Sequence, residues 1–488
     1  MVIESLKYKI LQQFGFAPTQ EQGQALDTFV SFLTDRDPQA VMILRGSAGT
    51  GKTSLSGAIV RTLLQIRQKV MLLAPTGRAA KVFSLGSGAP AYTIHRRIYR
   101  EKAFAGVDGQ FSLNDNLYTD TLFMVDEASM IANMGLGGTT FGSGCLLDDL
   151  VKFVYQGHND RLLLIGDKAQ LPPVGEEESP ALSASVMEGY GLKVYECDLN
   201  EVLRQSQSSG ILYNATLIRQ MITHDAVTGL PLIRFKGFAD IVMMPGAELV
   251  ESLGDSYHHV GMDETMVITR SNKRANIYNN GIRNMVLDRE EELSSGDMLM
   301  IVKNNYFWTE KEKKESGEES AGAVPAFLAN GDRAKVLRVS NYIELYGFRF
   351  ATLLLQLPDY DDYEMQVTGM LDTLQSEAPA LTHEQQEELF RQVEEDYQHF
   401  VPLKADRMKS IRQDAYFNAL QIKYAYAVTC HKAQGGQWAH VYVDQGYMTD
   451  DMLTPDYIHW LYTAFTRATD KLFLVNWPKE QTCEPTDL

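Results

Sequence analysis

The stretch that most constrains this chain is Ala40-Val41-Met42-Ile43-Leu44-Arg45-Gly46-Ser47-Ala48-Gly49-Thr50-Gly51-Lys52-Thr53. Its first half is a short apolar run of the kind that makes a strand buried on both faces. The second half fits G-x-x-x-x-G-K-[ST] at every fixed position, and residues 55–64 continue in a helix-compatible pattern. Glycines let such a backbone curl until successive N–H groups point inward at phosphate oxygens, and the following helix adds its positive N-terminal end. Lys52 then reaches the β- and γ-phosphates, and the Thr53 hydroxyl can ligate Mg²⁺. The pattern implies a nucleoside-triphosphate site formed by Gly46, Ser47, Ala48, Gly49, Thr50, Gly51, Lys52 and Thr53.

A phosphate loop needs carboxylates to complete it. Thr121-Leu122-Phe123-Met124-Val125 predicts a strand that ends at once in Asp126-Glu127. Asp126 suits a Mg²⁺ ligand, and Glu127 suits the group that orients and deprotonates an attacking water. An acidic strand end could also serve only to cap a helix. Arg161-Leu162-Leu163-Leu164-Ile165 predicts a further strand, followed by Gly166-Asp167-Lys168-Ala169-Gln170. In an open parallel sheet the ligand sits at the carboxyl ends of the strands, so these groups converge, with Gln170 as a γ-phosphate sensor.

Around that centre the pattern alternates strand and helix. Thr19 with Gln22 three residues on reads as a capping box, or Gln22 as an amide facing an adenine edge; the residues alone leave both open. Val70–Ala74 is another buried-strand run, leading to Pro75-Thr76-Gly77-Arg78. Thr93-Ile94-His95-Arg96-Arg97 is polar and basic, which fits a phosphate-contacting surface as well as a structural histidine. Residues 100–119 are rich in turn formers and allow a small hairpin or a plain loop, and 132–144 is a glycine-rich excursion. Leu199-Asn200-Glu201-Val202-Leu203-Arg204-Gln205 closes this first α/β unit with Arg204.

A second α/β unit starts near residue 206, with a strand at 266–269. From about residue 306 the composition shifts to a charged linker (309–320), β-type alternation (333–339 and 348–357) and an acidic helical arm (382–413). The α/β pattern then resumes with strands expected at 423–429, 440–444 and 471–475 and a helix over 460–469. The net charge of −18 argues against a wholly basic nucleic-acid binder, yet much of the acid lies in 310–319 and 359–396, which leaves room for a basic groove elsewhere. Four widely spaced cysteines (Cys145, Cys197, Cys430, Cys483) lack metal-ligand spacing and suit reduced thiols in the cytoplasm. Neither a signal-peptide core nor a bilayer-spanning run is present, so no membrane role is expected.

Taken in order, segments 46–53, 74–81, 93–97, 126–130, 166–174, 199–205, 429–437 and 462–469 resemble the superfamily 1B helicases, most of all the 5′-to-3′ branch with RecD-like and Dda-like enzymes. Gly-Asp-Lys-Ala-Gln-Leu-Pro-Pro-Val at 166–174 and Leu-Tyr-Thr-Ala-Phe-Thr-Arg-Ala-Thr at 461–469 carry most of the likeness. The resemblance implies an α/β fold of two RecA-like P-loop NTPase domains, parallel sheets with flanking helices. A small pin insertion is expected at 100–119 in the first and an SH3-like β-rich insertion in the second. The implied division is 1–205, 206–305 with 421–488, and 306–420 for the insertion.

By the same resemblance Gln22 falls at the adenine-reading position, Lys52, Glu127, Gln170, Arg204 and Arg467 at the catalytic positions, and Thr53 and Asp126 at the Mg²⁺ positions. Thr76, His95, Thr429, His431 and Gln434 match strand-contacting positions. Gln437 stands where many relatives carry a ribose-contacting glutamate, which leaves sugar selectivity open. The implied activity is ATP-dependent unwinding by a monomer moving 5′-to-3′ on single-stranded DNA toward a junction with duplex, in DNA repair, recombination or replication, with proteins of those processes as candidate partners. The alternative is a nucleic-acid-stimulated ATPase that remodels protein–DNA complexes, or acts on RNA, without processive unwinding.

Overall fold

The computed structural model describes residues 2–104, 109–135, 142–201, 208–223, 229–316, 324–325, 327–401, 403–449 and 452–483. In it the apolar runs become strands. They are β1 (Ala40–Gly46), β2 (Lys69–Ala74), β3 (Ala91–Thr93), β4 (Tyr99–Phe104), β5 (Gly109–Leu113), β6 (Thr121–Val125), β7 (Arg161–Gly166), β8 (Lys193–Leu199) and β9 (Ile241–Met244). Further on come β10 (Thr265–Thr269), β11 (Met298–Ile301), β12 (Arg333–Leu345), β13 (Phe348–Leu357), β14 (Tyr363–Met370), β15 (Leu420–Tyr424), β16 (Ala427–Thr429), β17 (Trp438–Asp444) and β18 (Ala468–Val475). The chain divides into two compact units, Met1–Pro245 with Ala433–Leu488, and Gly246–Lys432.

In the first unit six parallel strands lie in the order β3-β2-β6-β7-β1-β8. Side chains alternate between the two faces of a strand, so a run that is apolar throughout requires cover on both. On one face Met42, Leu44, Leu163 and Ile165 pack with Phe29, Leu55 and Leu63. On the other, Val41, Ile43, Leu162 and Leu164 pack with Ile94, Leu150 and Phe153. The order sets β6, β7 and β1 side by side, so the residues after Val125, Gly166 and Gly46 leave the sheet along one edge. Of the two readings of 100–119, the structure takes the hairpin: β4 and β5 pair antiparallel from Tyr99 opposite Leu113 to Phe104 opposite Gly109. Its base is anchored by Tyr99, whose buried hydroxyl donates to Asp149 Oδ2 at 2.7 Å. A second parallel ladder in this unit joins β17, β18 and β9. The expected helix at 460–469 runs instead from Pro455 to Phe465; Thr466 ends it, and the chain enters β18 two residues later.

The second unit contains a closed barrel of β11-β12-β13-β14-β15 and the parallel pair β10/β16. The barrel is the β-rich insertion anticipated from the alternation at 333–339 and 348–357, and it takes its first and last strands from residues on either side of 306–420. The single strand expected over 423–429 is two strands, one in the barrel and one in the parallel pair. Asn279 fixes the break: its Nδ2 donates to the carbonyls of Tyr424 (3.3 Å) and Ala427 (3.0 Å), and its Oδ1 accepts from Tyr426 N (3.1 Å) and Ala427 N (2.7 Å).

Near the start of the barrel, the fully buried Asp297 accepts from Arg283, Arg289, the Tyr426 hydroxyl and Ser294 N. That many charge-assisted partners offset the cost of taking a carboxylate out of water. The charged stretch 309–320 begins as a helix, Phe307–Ser316, because Trp308 is buried and its Nε1 donates to Asn418 O at 2.9 Å. The acidic arm is two helices, His383–Gln398 and Lys404–Arg412, the first opened by a capping box between Thr382 and Gln385. It is not wholly solvated: Leu389, Val393 and Ile411 pack with Phe348, Phe350 and Met370 of the barrel strands. No described helix is long and apolar enough to cross a membrane.

Asp332 is buried just before β12; its Oδ2 accepts from Ala329 N (2.7 Å) and the Tyr360 hydroxyl (2.6 Å), while Oδ1 has no partner among the described residues. Burial, opposed by those hydrogen bonds and reinforced by Asp359, pushes its carboxyl up to about 7. The folded chain then holds a proton that the unfolded chain releases near pH 4, so stability falls as pH rises from about 4 to about 7 and is level above. Carbon-13 NMR of this carboxyl should give a midpoint near 7, and Asp332→Asn should flatten the pH dependence of unfolding across that window. A midpoint near 4 contradicts the burial argument.

Candidate nucleotide and nucleic-acid site

The loop after β1 turns through two left-handed glycines, Gly49 (φ 77°) and Gly51 (φ 82°), where a side chain would be strained. A Cβ on Gly46 would lie 2.8 Å from Lys52 Cγ and 2.9 Å from Thr50 Oγ1, so that position also excludes side chains. Thr50 is buried and its hydroxyl donates to Ser47 O at 2.8 Å, which closes the loop on itself. Lys52 opens the helix Lys52–Gln65, and its Nζ donates to the carbonyls of Gly46 and Ser47. Thr53 is exposed beside it. Gln22, 1 % exposed, does two things at once: its Oε1 accepts from Thr19 N as the capping box predicts, and its Nε2 donates to Thr50 O at 2.9 Å. Both halves of the amide therefore serve the phosphate loop and its flanking helix.

Asp126 and Glu127 follow β6. Glu127 takes a left-handed backbone (φ 52°), unusual for a residue with a long side chain, and its N–H donates to Asp126 Oδ1 at 2.9 Å. Burial first, and then the charge of Glu127, push the Asp126 carboxyl up to about 7 against the opposing pull of Lys52. A buried carboxyl that resists ionisation, set next to a second carboxyl side chain, is a donor set that suits a divalent cation, with Thr53 as the hydroxyl ligand. Among the described residues no group of three or more His, Cys, Asp or Glu forms a larger metal cluster. Gln170 lies across from this pair. With its amide oriented to suit its neighbours, the nitrogen donates to Glu127 Oε2 (3.3 Å) and the oxygen accepts from Arg467 Nη2 (3.3 Å). Arg467 is 2 % exposed and is aimed by three more bonds, Nε to Thr463 O (3.1 Å), Nη1 to Gly436 O (3.2 Å) and Nη2 to Thr466 Oγ1 (3.2 Å). Glu127, Gln170 and Arg467 thus form one hydrogen-bonded line.

Two further residues touch the loop, and neither was singled out from the sequence. Tyr462 is buried; its hydroxyl accepts from Ala48 N (2.9 Å) and donates to Asp167 Oδ2 (2.6 Å), and burial beside Asp167 holds it well above the usual phenol range. It stands inside the 462–469 segment, which signals its neighbourhood but not its contact. Arg219, on the helix Gly210–Thr223, donates from Nη1 to Ser47 Oγ, and no spacing or motif announces it. Arg204 lies outside the described residues.

The candidate strand-contacting residues are placed as follows. Thr76 caps the helix Gly77–Ser87, its hydroxyl accepting from Ala79 N. It borders the 434–437 segment, since a Cβ on Gly435 would lie 3.2 Å from Thr76 Oγ1. Gln434 is buried with its Nε2 donating to Leu171 O at 2.7 Å. Gln437 is exposed at its side chain, while its carbonyl accepts from Arg78, whose guanidinium covers the Trp438 ring at 4.5 Å. His95 packs against Tyr99, and burial lowers its pKa to about 4, so it is a neutral imidazole near pH 7. Beside it Arg96 and Arg97 both approach the Tyr92 ring, at 5.0 and 3.8 Å. In the second unit, Thr429 ends β16 opposite Thr269, and His431 is exposed shortly after.

Residues 17–229 match the family described as AAA domain, and residues 424–475 match the UvrD-like helicase C-terminal domain. The ATP-dependent RecD2 DNA helicase of Deinococcus radiodurans is 30 % identical over 157 residues, 32 % of this chain and 18 % of that protein. The ATP-dependent DNA helicase dda of Enterobacteria phage T4 is 25 % identical over 267 residues, 53 % of this chain and 55 % of that protein. The chain thus spans less than two thirds of either relative. A solved structure of Pif1 helicase from Bacteroides, in complex with ADP-AlF3 and ssDNA, superposes with a TM-score of 0.46 at 13 % identity, covering 96 % of this chain and 95 % of that one. The chain thus carries a match to an AAA domain followed by a match to a UvrD-like helicase C-terminal domain, and parts of it are similar to the RecD2 and Dda DNA helicases.

Proposed function

We propose that this chain is an ATP-dependent DNA helicase that translocates 5′-to-3′ on single-stranded DNA and unwinds duplex at a junction. The observation that carries the reading is the line Glu127–Gln170–Arg467, which ties the carboxylate beside the phosphate loop to a buried arginine through an amide. In this reading the loop N–H groups and Lys52 hold the β- and γ-phosphates. Glu127 accepts the proton of the attacking water, and Gln170 keeps that carboxylate and the Arg467 guanidinium in one register. Arg467 and Arg204 offset the charge that spreads over the transferred phosphoryl. Thr53 and Asp126 would hold Mg²⁺, which would neutralise part of the phosphate charge.

The DNA track is supported by the relatives' descriptions as DNA helicases and by the arginines around Tyr92. Thr76, His95, Thr429, His431 and Gln434 are the proposed strand-facing set, and the β4–β5 hairpin is the proposed splitter.

Lys52→Ala and Glu127→Gln should each lower ATP turnover by ~10²-fold or more with the far-ultraviolet circular dichroism unchanged. Parental turnover in Glu127→Gln would remove that residue from its role. On tailed duplexes with ATP present, strand displacement should require a 5′ overhang; activity confined to 3′-tailed DNA overturns the polarity. Replacing the hairpin Tyr99–Leu113 by a short turn should abolish strand displacement while DNA-stimulated hydrolysis stays within about 3-fold. If unwinding survives, the hairpin is not the splitter.

A further inference from the structure

Arg219 is a cation at the phosphate loop for which neither the motifs nor the mechanism above has a use. The helix Gly210–Thr223 buries Ile211, Ala215 and Ile218, and this face sets the rotation that brings the next residue to the loop. Arg219 Nη1 donates to Ser47 Oγ, and Lys52 Nζ donates to the carbonyls of Ser47 and Gly46. Two cations therefore meet at one residue. Arg45 of this unit, by contrast, pairs with Asp198 and Glu196. Among the described residues, no carboxylate lies within ion-pair distance of Arg219, whose side chain bonds a neutral hydroxyl. A half-buried guanidinium, four of whose five N–H groups are left for other partners, is costly unless an anion completes it.

The loop itself says which anion. Its backbone curls to receive phosphates, and Lys52 marks the β/γ side by its position at Gly46 and Ser47. Arg219 bonds the same residue, Ser47, that Lys52 does. Moreover, its helix packs against Pro455–Phe465, the helix that supplies Tyr462 to Ala48 N and leads into Arg467.

We propose that Arg219 is a catalytic residue that binds the γ-phosphate of ATP from the Ser47 end of the loop. The inference rests on the reading of this site as an ATP-hydrolysing one. As the water oxygen bonds to the γ-phosphorus, the bond from that phosphorus to the β,γ-bridging oxygen breaks. The water's proton passes to Glu127, and the electron pair leaves on ADP. Arg219 holds the γ-phosphoryl oxygens through this change and then faces inorganic phosphate. It distinguishes a nucleotide with a terminal phosphate from one without, and so adds a positive charge beyond the two arginines that the family resemblance accounts for.

The test compares the full chain with Arg219→Ala, Arg219→Lys, Ser47→Ala and Lys52→Ala, measuring DNA-stimulated kcat and KM together with affinities for ADP and for ADP with aluminium fluoride. Arg219→Ala should lower kcat by ~10²-fold and weaken ADP–aluminium fluoride by ~10-fold or more, with ADP affinity within about 2-fold of the parent. Arg219→Lys should recover part of both losses, and Ser47→Ala should lose less than Arg219→Ala. A kcat within 2-fold of the parent in Arg219→Ala overturns the inference. So do equal losses for ADP and ADP–aluminium fluoride, or Ser47→Ala matching Arg219→Ala, since either reduces Arg219 to a prop for the loop. A parent without ATP turnover, or a Lys52→Ala variant at the parental rate, instead sinks the reading of the whole site and takes this inference with it.

Discussion

A backbone that is to surround a polyanion with its own N–H groups cannot also carry side chains on its inner wall. That constraint governs the loop at 46–53 and propagates outward from it. Gly46 has no room for a Cβ, Gly49 and Gly51 take left-handed turns, and Thr50 closes the curve with its hydroxyl on Ser47. A loop so thin cannot hold itself in place. Gln22 grips it from one side through the Thr50 carbonyl, and Tyr462 from another through the Ala48 amide. Both grips are made by buried groups, where a hydrogen bond is hard to exchange for water.

The sheet then decides what the loop can meet. Because β6, β7 and β1 are neighbours, short side chains and amides suffice to join their ends, and Gln170 spans from Glu127 to Arg467. The left-handed backbone at Glu127 turns the carboxylate out of the path of its strand, a local strain retained where the surroundings over-determine it. Segments far apart in sequence, near 48, 167, 219 and 462, are consequently linked within a few bonds of one another.

Much of this was legible in the sequence because the signals were local. Apolar runs bounded by turns marked β1, β2, β6 and β7 of the first parallel ladder and β17 and β18 of the second, though not β3, β8 or β9, and alternation at 333–339 and 348–357 marked two strands of the barrel. Where tertiary contacts override local pattern, the reading slipped. Residues 423–429 look like one strand until Asn279, far away in sequence, splits them. The charged segment after 306 looks like linker, yet one buried tryptophan makes it helical, and the acidic arm looks solvated because the few residues that dock it, such as Val393 and Ile411, are diluted by charge. Arg219 was invisible for a simpler reason. An arginine on a helix has no neighbours at diagnostic spacing, and its meaning lies in what the fold puts opposite it.

The clasp at Asn279 has a mechanical consequence. Only Ala425 and Tyr426 separate the last barrel strand from the strand that ends at Thr429, and one amide holds backbone groups on both sides of that step. There is no slack in such a joint. Torque applied to the barrel wall would pass to Thr429 with little loss at this step.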